Sequence, residues 1–105
     1  MAEKTPIIRV MFAKLKEAWH ELSEEEQQEF MRKDREKLEE LGYKLHFMVD
    51  CTWSNDEWHY FGVEEWPSME AIKKIEKFHE EELEVSKYAE YKIYLGTPVQ
   101  DEYTQ

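Results

Sequence analysis

Residues 58–71 read WHYFGVEEWPSMEA, and the fold turns on how the first nine of them are laid out. Side chains alternate along a strand, so a strand here sends Trp58, Tyr60 and Trp66 to one side and His59, Phe61 and Val63 to the other. Both faces then carry rings or aliphatics. In a small two-layer protein the helices cover only one face of a sheet, so the other needs a cover of its own. Pro67 and Ser68 end the strand and begin a helix. Met69, Ile72, Ile75, Phe78 and Leu83 recur at helical spacing from there to about Lys87.

Working toward the N-terminus, WSNDE supplies turn residues, and YKLHFMVDCT from Tyr43 alternates as a strand, so the two strands form a hairpin. Ser23-Glu24-Glu25-Glu26 matches a capping box. The helix it opens runs to about Leu41 with Phe30, Met31, Leu38 and Leu41 as its apolar stripe, and Gly42 supplies the left-handed residue that stops it. PIIRVMFAKL, from Pro6 to Leu15, is the first strand, joined to that helix by KEAWHEL. At the other end EYKIYLG is the last strand and TPVQDEYTQ a tail. The expected organisation is one domain over residues 1–105, with its core in 6–96 and a tail over 97–105.

Strand, helix, strand, strand, helix, strand is the split βαβ order of the ferredoxin-like α+β fold, with a four-stranded antiparallel sheet and both helices on one face. The most apolar side of each strand is expected to pack on the helices: Ile8, Val10 and Phe12; Leu45, Phe47 and Val49; Phe61 and Val63; Tyr91, Ile93 and Leu95. The other face then receives Arg9, Met11, Ala13, His46, Met48, Asp50, Trp58, Tyr60, Glu64, Trp66, Lys92 and Tyr94. Burying a large apolar side chain is worth roughly 1.5–3 kcal/mol, so a face with this many rings gains from a second copy packed sheet to sheet. The expected assembly is a homodimer, with further association of dimers open, that closes the two sheets into a barrel.

Inside such a barrel, buried charges need partners. A small apolar or aromatic ligand, held there or between the sheet and the helices, could meet them, with Arg9, Met48, Asp50, Tyr60, Glu64, Trp66 and Tyr94 as ligand-binding residues and His46 as the candidate acid or base. The rival reading is a non-catalytic dimerisation module in which these groups satisfy one another.

The totals narrow the classes. With 105 residues there is one core, and 41% hydrophobic against 37% charged residues describes an ordinary folded domain. No apolar run reaches the roughly 20 residues of a membrane span, and MAEKTPIIRV does not read as a signal peptide, so a cytoplasmic address is expected. A net charge of -11, from 14 basic and 25 acidic residues, opposes binding to nucleic acid. The surplus of Glu and Lys over Asn and Gln is of the kind found in heat-adapted proteins. Cys51 is the single cysteine and can form no internal disulfide. His79-Glu80-Glu81-Glu82-Leu83 opens like a zinc-protease helix but has Leu83 where the second His belongs. His46 and Asp50, four residues apart on a strand, stand about 13 Å from one another. No protein metal site is expected.

FGVEEWPSMEAIKKI (61–75), a strand running through a Pro-Ser turn into a helix, and AWHELSEEEQQEF (18–30), a helix entry, resemble the dimeric α/β-barrel proteins. That family includes antibiotic-biosynthesis monooxygenases, stress-responsive barrel proteins, heme-degrading monooxygenases and chlorite dismutases. The resemblance implies a homodimer and, on the monooxygenase side, oxygenase chemistry without a cofactor. Heme-degrading members use an Asn on the first strand, a Trp on the third and a His on the second helix. Trp66 and His79 match the last two, while IIRVMFAKL has no Asn. The expectation is therefore no cofactor, with heme held through His79 as the alternative.

Overall fold

A computed structural model of the chain describes residues 5–99. The elements are β1 (Ile7–Leu15), a single-turn α1 (Glu17–His20), α2 (Glu24–Glu40), β2 (Lys44–Asp50), β3 (Tyr60–Trp66), α3 (Met69–Glu81), a 3-10 turn (Val85–Lys87) and β4 (Ala89–Gly96). The sheet order is β2-β3-β1-β4, antiparallel throughout, which is the ferredoxin-like arrangement expected from the sequence. Of the expected tail, residues 97–99 have no regular structure and 100–105 lie outside the described residues.

The helix boundaries follow local chemistry. Ser23 Oγ accepts from Glu26 N at 3.1 Å and Glu26 Oε1 accepts from Ser23 N at 2.9 Å, completing the capping box. Gly42, at φ +84°, takes the left-handed position that ends α2. The helix expected to reach Lys87 stops at Glu81 instead, because Glu84 adopts φ +50° and the chain re-enters as the 3-10 turn. Within the linker KEAWHEL, residues 17–20 coil into α1.

The faces of β1 and β3 are the reverse of those expected, as are those of Phe47 and Val49 in β2, whereas Leu45 and Tyr91, Ile93 and Leu95 of β4 share the helix side with Arg9 and Ala13 as expected. Arg9, Ala13, Glu64 and Trp66 are buried beneath the helices, and Trp66 packs with Leu38, Ala71, Ile72 and Ile75 as the core. Val10 pairs with Val63 and Phe12 with Phe61 on the helix-free face, where the Phe12 ring lies 5.7 Å from Phe61 and 6.4 Å from Tyr94. Two irregularities hide this in the sequence. The β2–β3 register shifts between Leu45 and Phe47, so Leu45 stands across from Glu64 while Phe47 and Val49 stand across from Val63 and Phe61. Trp58 precedes the strand and stacks near Phe12 at 6.0 Å, away from Tyr60 and Trp66.

Two layers leave the Phe12 face bare.

Candidate functional site

The helices do not lie flat on the sheet. At one end α2 is propped by an aromatic post in which Phe30 meets Trp19 at 5.2 Å and Tyr88 at 5.5 Å. At the other end it is pinned by Leu38, its one buried side chain. Between the two, small residues on the sheet, Ala13 and Ala89, leave a cleft of about 810 Å³ walled by Met11, Met31, Met48, Tyr60, Tyr91 and Asp34, with Gln27, Arg32 and Arg35 also contributing from α2. A second cavity of about 580 Å³ lies between α3, the 3-10 turn and strands β1 and β4, and takes in Arg9, Lys16, His79, Val85 and Ile93. Ala89 and Tyr91 belong to both and form their boundary.

One pair links the cavities. His79 Nε2 lies 2.6 Å from Asp34 Oδ1, tying α3 to α2, with His79 in the smaller cavity and Asp34 in the larger. Sequence reasoning reaches His79 and misses Asp34, yet a signal is present. Asp34 stands four residues after Phe30 and four before Leu38, so it interrupts the apolar stripe of α2 on the inward face. Tyr91 escapes as a cleft residue because alternation assigns it to the core. Burial first, then the Asp34 and Glu64 carboxylates, push its phenol up to about 12, while Arg9 opposes them.

Beneath the smaller cavity is a buried network. Arg9 Nη1 donates to Glu64 Oε1 at 3.2 Å, and Trp66 Nε1 donates to the same oxygen at 2.9 Å. The Arg9 guanidinium also lies 5.8 Å from the Trp66 ring centroid. Arg9 Nε is buried with no partner among the described residues.

The residues proposed from sequence therefore scatter. Arg9, Met48, Tyr60, Glu64 and Trp66 come together on the helix side of the sheet, Met48 and Tyr60 lining the cleft and Trp66 fully buried in the core. Tyr94 lies on the helix-free face with Lys92 Nζ 5.5 Å over its ring. Asp50 closes the turn after β2, and the bonds from the Thr52 hydroxyl and backbone N–H hold its carboxyl below the usual range. His46 sits at the register shift, solvent-exposed, with Nε2 2.9 Å from Glu65 Oε1. It lines neither cavity. Among the described residues no three His, Cys, Asp or Glu side chains gather in a way that could hold a metal ion, and no helix is long and apolar enough to cross a membrane.

No family model matches the chain, and no curated protein matches it in sequence. Solved structures do match in fold. One is a heme-binding protein from Thermus thermophilus, at a TM-score of 0.74 and 15% identity, covering 96% of this chain and 43% of that one. Another is a chlorite dismutase from Candidatus Nitrospira defluvii, at a TM-score of 0.74 and 8% identity, covering 98% of this chain and 44% of that one. The chain thus spans less than half the length of these solved chains. The ferredoxin-like part of the resemblance holds, and the monooxygenase part receives no support from these chains. The expectation of a site without a cofactor is corrected by the same finding, because a solved chain sharing this fold is a heme-binding protein.

The donor set suits a heme. The macrocycle supplies four nitrogens, so iron asks for only one or two protein donors, and a lone imidazole serves. Metal-ligating His residues characteristically give their other ring nitrogen to a carboxylate, which is what Asp34 offers His79. Tyr91, its phenol held protonated, is a poor oxygen ligand by comparison. Met11, Met31 and Met48 provide polarizable apolar walls, and Arg35 brings a cation to the opening.

Proposed function

We propose that the chain binds heme between the sheet and its long helices, with His79, on the side of the smaller cavity, as the iron ligand and Asp34 as the carboxylate that orients it. The observation that carries this reading is the 2.6 Å His79–Asp34 contact, placed where the two cavities meet. The fold shared with a heme-binding protein supports it. When bound, heme supplies redox and oxygen chemistry; the chain's own residues bind it, orient the imidazole and exclude water.

The chain is also proposed to act as a homodimer through the helix-free face of its sheet. That face presents Val10, Phe12, Phe47, Phe61 and Val63 with no helix over it.

The test of the heme reading is spectroscopic. Hemin added to the purified chain should give a Soret band characteristic of bound heme. His79→Ala should abolish its ligand-field signature, and Asp34→Asn should weaken affinity by about 10- to 100-fold. Absence of a bound-heme Soret band, or a His79→Ala spectrum identical to wild type, overturns the assignment.

A further inference from the structure

We infer that the smaller cavity is a binding site for an organic carboxylate, anchored by Arg9. The inference needs neither iron nor His79, although His79 lines the same cavity, so it is tested on the chain without heme.

Arg9 is 2% exposed and uses Nη1 for Glu64, yet its Nε is buried without a partner among the described residues. Leaving a buried donor unmet is costly, and the cost is greater for a charged group. Nε and Nη2 lie along one edge of the guanidinium with parallel N–H bonds, the fork that grips both oxygens of a carboxylate. Glu64 occupies the other side through a single oxygen, which also serves Trp66. The edge containing Nε is therefore the one Glu64 leaves free; Nε itself is closed to water in the free chain, so a ligand takes it as the guanidinium turns toward the cavity.

The cavity that Arg9 lines supports this chemistry. Its volume of about 580 Å³ falls within the roughly 300–1,000 Å³ typical of small-molecule sites. Val85, Tyr91 and Ile93 give it apolar walls, so the occupant has a hydrocarbon or aromatic body behind its acid group. Lys16 also lines the cavity, its Nζ 2.7 Å from the Ser86 carbonyl oxygen, but it is exposed and its charge is screened. Glu76, Glu80 and Glu90 also line the cavity, but all three are exposed residues whose charges water and salt screen. Arg9 is buried, where screening is weak. The rim repels anions feebly, and the guanidinium draws one by the hydrogen bonds of its free edge, with Glu64 offsetting part of its charge.

The experiment uses the full chain without heme. The Arg9 side-chain Nε–Hε resonance of labelled protein is followed by NMR while benzoate is added, and benzamide serves as the neutral match in shape. Benzoate should move this resonance saturably and slow its exchange with water, and benzamide should not. Glu64→Gln keeps an acceptor for Trp66 while removing Arg9's counter-charge, so it should bind benzoate about tenfold more tightly or better and gain thermal stability from it. An Arg9 signal indifferent to saturating benzoate, an equal response to benzamide, or no tightening in Glu64→Gln overturns the inference. The Soret assay with His79→Ala reports separately on the heme reading.

Discussion

Arg9 and Glu64 face one another across the β1–β3 pair at 2% and 4% exposure, joined by a single 3.2 Å contact. Both are charged residues in strands that read as alternating, and both lie under the helices. Their mutual neutralisation lets a sheet put two charges on its inner face and its valines and phenylalanines on the outer one. The arrangement tolerates both charges or neither, because a lone buried charge has nothing to offset its lost hydration.

Arg9→Met should therefore cost about 3–5 kcal/mol in urea unfolding, by stranding Glu64. Arg9→Met combined with Glu64→Gln should recover most of that loss, since both charges leave together and Trp66 keeps its acceptor. A double variant no more stable than the single would show that the pair is not what holds the inner face.

Tyr91 gives a pH-dependent prediction. Its folded pKa, raised to about 12 chiefly by burial, lies above the ordinary phenol value of about 10. The fold thus favours the protonated phenol. That contribution is complete below about pH 10 and drains away as pH rises from there through about 12. Because 39% of Tyr91 remains open to solvent, the clearest readout is the titration itself. Burial also raises the Tyr43 phenol, so absorbance near 295 nm should show a late-ionising tyrosine fraction, part of which disappears in Tyr91→Phe. A wild-type curve with every tyrosine titrating together near the ordinary phenol value would contradict the placement of Tyr91.

Much of this molecule was legible in the sequence. Ser23, Glu26 and Gly42 fixed α2 to within a residue because caps are local chemistry, and the order of elements fixed the topology. Which side of β1 and β3 meets the helices was not legible, although the apolar side of β4, with Tyr91, Ile93 and Leu95, was. Alternation separates two faces but does not label them, and the usual label, polar outward, fails where Arg9 and Glu64 pair in the interior. The shift at His46 then changes the face of every later residue in β2, so Phe47 and Val49 sit opposite to a simple count from Leu45. His79 could be read as the edge of a stripe. Its partner Asp34 lies 45 positions away, and only the packing of α2 against α3 brings them together.

Gly62 is a tight point in the cleft floor. It stands opposite Met11 and Met48, and a Cβ there would come within 2.9 Å of Met48 Cε and 3.3 Å of the Phe47 carbonyl oxygen. The methionine end can swing away into the cleft, whereas the carbonyl can yield only by a small backbone shift. Gly62→Ala should cost about 1 kcal/mol and displace the Met48 methyl resonance, and Met48→Ala in the same background should relieve part of the cost. A variant with wild-type stability and an unmoved Met48 methyl would mean that the strand is looser than these distances imply.

The helix-free face gives the most consequential prediction. Phe61 stands at its centre, paired with Phe12 on one side and Val49 on the other. A lysine at that position would place a strongly hydrated ammonium in the middle of any sheet-to-sheet interface, where it would have to be desolvated without a partner. In an isolated chain the same lysine points to water and is tolerated. Phe61→Lys should therefore turn a wild-type dimer into a folded monomer in sedimentation velocity, with far-UV circular dichroism unchanged. Phe61→Leu, which keeps an apolar side chain there, should still dimerise. Wild-type protein sedimenting as a single chain at micromolar concentration would remove the dimer, and a Phe61→Lys variant that keeps the wild-type mass would move the interface to another surface.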